Sequence, residues 1–482
     1  MLRLEQALTQ SDVPVSRRGT LVFVVATLGV MALAFMLRLE YPLFLAVCGL
    51  FGAFLVWQHP VVWITVSILL FLPVFWNIQE GLTPGEILHT MVYYGGLLWW
   101  FFHRLIVARE RIRWSAGGIL LALLLLQMLL LGPVSIGINA DPYVWLREIV
   151  ILSTPLLLIP ISHECTTRPR QYSIGAATVL VLTALSLKNI YQYKQKVVEA
   201  VWVWQVGASR ASESFFLIFA LAVIGLAVLL SMRRPLSTLI SAAVVTAGVA
   251  ATVLSFYRTI WVAALVGYVL MGLMLGGLFW KRALGYLAIV IVVAGISYPL
   301  FLADVVPLDV MWTSVSSRFT SIGKYRQDLS VTNRDAEAQT ILDDVEGHWL
   351  LGKGIAVTTP FRKLTSKTTI YPTWTHNGYA WVLKHYGVIG TLLLFSAWLY
   401  YAFIGLQIAR RFGKTRNRSD EDVVRVRLLA AAGSAVILST FLVSITINQF
   451  LSHESGFIFA VVFGLFEVWY REEKSVTAGG QI

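Results

Sequence analysis

A chain of 482 residues that is 57% hydrophobic and 13% charged, with a mean hydropathy of +0.73, lies outside the range of soluble globular proteins, which run nearer half apolar and a quarter charged. Its two cysteines, Cys48 and Cys165, sit in or beside apolar segments, which excludes a disulfide framework. The net charge of +12 comes with no basic patch bearing base-reading or stacking groups, so nucleic acid is not an expected partner.

The N-terminal residues are polar, with Glu5, Gln6, Arg17 and Arg18, and no small-residue cleavage site follows the first apolar run. They read as a cytoplasmic tail and not as a removed signal. Apolar runs then recur at about 20–37, 41–57, 61–76, 89–106, 116–135, 144–162, 173–192, 213–231, 236–256, 259–279, 283–303, 378–407, 428–449 and 455–470. Most approach the ~20 residues needed to cross a hydrocarbon core of about 30 Å. Many of the 17 Trp lie near run ends, where interfacial aromatic belts form. The expected fold is therefore an all-α polytopic membrane protein with about 12–14 transmembrane helices, the lower count applying if short runs such as 61–76 are re-entrant. With the N-terminus inside, Arg109/Arg111/Arg113, Arg168/Arg170, Arg233/Arg234, Lys281/Arg282, the block Arg410 to Arg427 and Arg471 to Lys474 all fall on the cytoplasmic side, as the positive-inside rule requires. The excess positive charge there orients the helices and attracts anionic lipid.

This alternation divides the chain into N-terminal transmembrane helices over 1–303 (about eleven spans), an outer loop over 304–377, and C-terminal helices with a cytoplasmic tail over 378–482. The loop carries eight Lys/Arg against eight Asp/Glu and is neutral. A helix is expected from Asn333 to about Glu346, capped by Thr332 or Asn333. Asp335 and Glu337 suit its first turn, Ala338, Ile341, Leu342 and Val345 share one face, and Gly347 ends it. Joining two spans takes about 2–8 residues, so a loop of this length with its own helix calls for a functional explanation.

Four arginines break the positive-inside trend by lying outside or at the outer boundary: Arg210, Arg258, Arg318 and Arg334. Each alone also fits an interfacial anchor or a structural ion pair. Arg258 stands out because an Arg between two apolar spans is costly and is as a rule functional. Several guanidinium groups on one face would form a pyrophosphate site, since they offer planar bidentate donors. In Thr373-Trp-Thr-His-Asn-Gly-Tyr379, His376 is a structural hydrogen-bonder or, given its place at the mouth of the loop, a general base able to take a hydroxyl proton near neutral pH. His348 and His385 are weaker candidates. Arg147 and Glu148 read as an intramembrane pair or as a substrate contact. Glu80, Glu86 and His89 lack ligand spacing, Gly352-Lys-Gly354 reads as a turn, and no metal or nucleotide fingerprint occurs, so neither a catalytic metal nor a cofactor is expected.

The order of these features resembles the bacterial O-antigen ligase and polysaccharide polymerase superfamily over about 205–400. Ser255-Phe-Tyr-Arg258 ends a span, then come Asn333-Arg334 with an acidic helix, Leu350-Leu-Gly-Lys-Gly354, Thr375-His-Asn-Gly-Tyr379 and Val382-Leu-Lys-His-Tyr-Gly-Val-Ile-Gly390. Where the family usually has a proline before the Leu-Leu-Gly turn, this chain has Trp349. The resemblance implies a metal-independent, inverting glycosyltransferase of the bacterial inner membrane, multi-pass, with its active site facing the periplasm. Its donor would be an undecaprenyl (polyprenyl) diphosphate-linked glycan and its acceptor a glycan or lipid-linked sugar hydroxyl. It implies His376 as base, with Arg258, Arg334 and Arg210 stabilising the leaving diphosphate. Asn377 and Tyr379 would hold His376 or the sugar, and Arg318 would support the loop. Polymerase and ligase both fit, and a chain-length regulator or export proteins would be possible partners of a polymerase. A lipid-linked oligosaccharide flippase is a more distant alternative, which the lack of an internal repeat disfavours.

Overall fold

Caps and prolines start the helices where hydropathy alone leaves the boundary open. Ser115 accepts a hydrogen bond from Gly118 N at 3.0 Å, and Asp141, followed by Pro142, accepts from Tyr143 N and Val144 N. The computed structural model describes residues 58–76, 84–198, 214–301, 329–363, 367–412 and 420–479, with a few isolated positions between them. In chain order the helices are α1 (Pro60–Leu69), α2 (Phe71–Trp76), α3 (Pro84–Thr90), α4 (Gly96–Phe102), α5 (Ala116–Leu130), α6 (Gly132–Ile138), α7 (Pro142–Leu152), α8 (Leu158–Glu164) and α9 (Arg168–Val198). They continue with α10 (Phe215–Ser231), α11 (Pro235–Leu254), α12 (Arg258–Leu275), α13 (Gly277–Phe301), α14 (Leu329–Asp344), α15 (Gly378–Arg411), α16 (Glu421–Val443) and α17 (His453–Gly479). One two-stranded antiparallel ladder, Phe361–Arg362 against Thr369–Ile370, lies between α14 and α15.

The chain is an all-α polytopic membrane protein. Among the described residues six helices are long and apolar enough to cross a membrane, or seven if α5 and α6, bent by 42°, count as one. The other expected runs fall on shorter or interrupted helices, such as α10 and the α1–α2 pair, or on α13 and α17. The first expected span lies outside the described residues, as does most of the second. In the loop, α14 begins at Leu329, four residues before the expected start, so Thr332 and Asn333 lie inside the helix and not at its cap. No Gly or Pro interrupts the sequence from Leu329 to Glu346, so nothing stops the helical period from extending backwards. Gly347, at φ +81°, ends the turn as expected.

The chain forms two compact units. The first contains the described parts of Met1–Trp114 with Leu157–Val181 and Phe463–Val468. In it Trp63 is fully buried and donates to Val92 O at 2.9 Å, and Gly96 makes room for its indole. Glu164 accepts from Trp100 Nε1 at 2.8 Å and from Arg104 at 2.6 Å, so its buried charge is paired. The second unit contains Ser115–Leu156, Leu182–Val462 and Trp469–Ile482, and with them every candidate site residue that the structure describes.

In the second unit α15 is broken. Gly387 has φ +59° and ψ −167°, a conformation open almost only to glycine. A strap of chain from Trp349 to Gly354 fills the break. Lys353 N and Gly354 N donate to the carbonyls of Lys384 and His385 at 2.8 and 3.1 Å, and Val388 N and Ile389 N donate to those of Trp349 and Leu350 at 2.8 and 3.1 Å. The groups orphaned on both sides of the break are thereby satisfied. Gln127 of α5 adds bonds to Tyr386 O and Leu351 O, and the buried Lys384 ammonium donates to Val357 O at 2.6 Å. At the end of α14, Asp344 accepts from Lys353 Nζ and Thr359 Oγ1, both at 2.7 Å. Burial alone would raise its carboxyl, but these bonds and the charges of Lys353 and Lys384 together hold it below the usual carboxylate value.

Candidate active site

His376 sits immediately before α15, where the chain is fixed from three directions. Asn377 is the N-cap, and its Oδ1 accepts from Tyr379 N at 3.0 Å and Ala380 N at 3.1 Å. Gly378 N donates to Ser444 O at 2.7 Å, in a space where an added Cβ would meet Ser444 Cβ at 2.9 Å. The Tyr379 hydroxyl donates to Phe441 O at 2.8 Å, and its ring packs edge-on against Phe395 and Phe450. Asn377 Oδ1 and the Tyr379 hydroxyl thus hold the helix start, and His376 projects a half-exposed ring.

That ring has a partner the sequence did not signal. His376 Nδ1 lies 2.7 Å from Glu337 Oε2, and the same oxygen accepts from His376 N at 3.4 Å. The Glu337 side chain is 5% exposed and that of His376 42%, so the carboxylate lies behind the ring and the ring faces outward. Trp374 packs edge-on at 5.2 Å. Arg334 lies three residues before Glu337 on α14, hence on the same helix face, and is half-buried.

Arg258 is the first residue of α12 and is half-buried. The turn that delivers it is sharp. Phe256, buried and not a glycine, has φ +52°, a conformation that costs about 1–3 kcal/mol and tends to persist at functional sites. The next residue, Thr259, accepts from Thr446 Oγ1 at 2.7 Å. Residues 444–446 therefore bond both to Thr259, beside Arg258, and to Gly378, two residues after His376. This one loop ties the N-termini of α12 and α15 together, and both present the positive ends of their dipoles. In the same loop Asn448 is fully buried, and neither of its side-chain polar atoms has a hydrogen-bond partner among the described residues.

Of the other expected site residues, Arg147 lies on α7, half-buried, within electrostatic range of Glu148 and His453. Arg210 and Arg318 lie outside the described residues. His385 is buried and bonded to Trp381 O at 2.8 Å, a structural role, whereas His348 is exposed beside Glu346 O. Gly352 and Gly354, at φ +78° and +79°, form the expected turn, which proves to be part of the strap. Among the described residues no three His, Cys, Asp or Glu side chains group as metal ligands do.

Sequence reasoning missed Glu337 as a site residue and the loop over 444–452 between α16 and α17. Glu337 reads only as an acid early in a helix, 39 residues from His376, and Ser444, Thr446 and Asn448 stand in no motif. No curated protein matches the chain. Residues 242–395, from within α11 to the middle of α15, match the family described as O-antigen ligase, a segment that holds Arg258, Arg334, Glu337 and His376. Over this segment the chain is similar to that family, which supports a membrane enzyme of glycan transfer of the O-antigen ligase and polysaccharide polymerase kind.

Proposed function

We propose that the protein transfers a glycan from undecaprenyl diphosphate to a sugar hydroxyl at the periplasmic face of the inner membrane, with His376 as general base. The observation that carries this reading is the half-exposed imidazole held at a fixed helix start, on the same loop-tied end of the second unit as Arg258. Nε2 takes the acceptor proton as the acceptor oxygen attacks the anomeric carbon, and the bond to the diphosphate breaks with inversion. The diphosphate leaves as an anion and needs no proton, so the charges of Arg258 and Arg334, with Arg210, supply the stabilisation. Arg318 would support the loop and Arg147 would contact substrate. Asn377 and Tyr379 act through the scaffold. The loop over 304–377 serves as the catalytic segment between the helices of 1–303 and those of 378–482.

Transfer onto the next lipid-linked repeat unit, a polymerase reaction with a chain-length regulator and export proteins as partners, is the reading favoured here. Transfer to lipid A–core is the second, and the description of the matched family as O-antigen ligase favours it. Purified protein offered each acceptor separately decides between them by which one becomes glycosylated.

Activity is expected to survive EDTA, because guanidinium groups take the place of a cation. Loss in EDTA that Mg²⁺ or Mn²⁺ restores would overturn that part. The topology has its own test: an impermeant thiol reagent applied to intact spheroplasts of a cysteine-free background should label a cysteine placed at 365 and not one placed at 416. The reverse pattern would put the site on the wrong side of the membrane.

A further inference from the structure

We propose that Glu337 is the positioning residue of the active site, fixing the tautomer and aim of His376 so that Nε2 carries the free lone pair. The inference rests on the reading of His376 as general base and adds a residue to it. A neutral imidazole has one N–H, and which nitrogen bears it is set by the hydrogen bond the ring makes. Here Nδ1 lies 2.7 Å from a carboxylate oxygen, so Nδ1 carries the hydrogen and Nε2 is left as the acceptor. The exposures assign the roles. A carboxylate that is 5% exposed is closed to a sugar hydroxyl, and its Oε2 already accepts both from the ring and from His376 N, so Glu337 is not the base. The ring, 42% exposed, is reachable.

The same contact acts again in the transition state. As Nε2 takes the hydroxyl proton the ring becomes an imidazolium, and the charge that develops lies against a buried anion already in place. Two elements distant in sequence make the pair, α14 and the residues before α15, so it exists only while α14 is docked. Arg334, one turn earlier on α14, and Asp335 are the other charged groups nearest Glu337 on that helix.

The test is steady-state glycan transfer by the purified full-length chain in detergent, with Glu337→Gln, His376→Ala and the double variant compared at matched monodispersity. Glutamine keeps an acceptor oxygen and the size of the side chain but removes the charge. Turnover should fall by about 10–10³-fold, no more than on losing the base itself. The KM for the lipid-linked donor should stay within about twofold, and the double variant should be no slower than His376→Ala alone. Unchanged turnover in Glu337→Gln overturns the proposal, as do losses that multiply in the double variant, since a group acting through His376 has nothing left to act on once the ring is gone. Near-normal turnover in His376→Ala removes the base reading and this proposal together, an outcome distinct from the other two. If Glu337→Gln does not fold, Glu337→Asp, which keeps the charge but withdraws it by one methylene, should show the same fall in turnover at constant KM.

Discussion

His376→Ala is expected to slow glycan transfer by about 10²–10⁴-fold, the range for loss of a general base, while donor binding stays nearly intact. The expectation follows from where the ring stands: beyond the Asn377 cap, outside the helix, and half-exposed. The residual rate should rise with pH, because hydroxide or a more ionised acceptor partly replaces the missing base. Arg258 should behave in the opposite way. The diphosphate is charged in the ground state as well as in the transition state, so Arg258→Ala weakens donor binding and turnover together. Lysine rescues it poorly, since a point charge does not copy the bidentate fork. Donor binding and single-turnover rates on both variants check the division. A well-folded His376→Ala protein with near-normal turnover would exclude His376, and His348 and Glu148 would be the next bases to test.

The second large effect concerns stability. Gly387→Ala is expected to cost about 1–3 kcal/mol from the backbone conformation alone. Overlap adds to it, because a Cβ there would meet Gly352 N and the Leu350 carbonyl carbon and oxygen, all at 2.5 Å. Gly352→Ala should do the same from the other side, where the clash is with Gly387 N and the His385 carbonyl at 2.6 Å. Backbone atoms cannot swing away as a side chain can, so the strap and α15 must part. The readout is the thermal unfolding midpoint in detergent, with Gly137→Ala as control, since a Cβ at Gly137 meets nothing within 4 Å and alanine favours the helix. A Gly387→Ala protein that melts with the wild type would show that the strap does not hold α15.

The membrane-spanning helices were legible because each is an apolar run, and their starts were legible where a short polar residue precedes one, as at Asn377. Arg258 stood out as a charge between two apolar spans, where one is costly, and His376 stood out by its place at the mouth of the loop. The early start of α14 was not, because Thr332 and Asn333 are good caps that the chain leaves unused in that role. Glu337 was visible as a helix residue and invisible as a partner, since nothing local records a contact formed 39 residues away. For the same reason Gly387 read as part of a smooth entry into a span. Its break shows only when the strap that fills it is also in view.

That break bears on how the protein is made. Lys384 to Ile389 lie 7–12 residues past the cap, roughly 10–18 Å along the span at 1.5 Å per residue. Trp349, Leu350, Leu351, Val388 and Ile389 all present exposed apolar surface around the break. Irregular backbone at hydrocarbon depth survives only where its polar groups are paired. Entering the bilayer alone, α15 would carry unpaired groups at Lys384, His385, Val388 and Ile389, each costing several kcal/mol. The strap, some 35 residues earlier in the chain, supplies those partners, so seating of α15 and docking of the strap are one folding step.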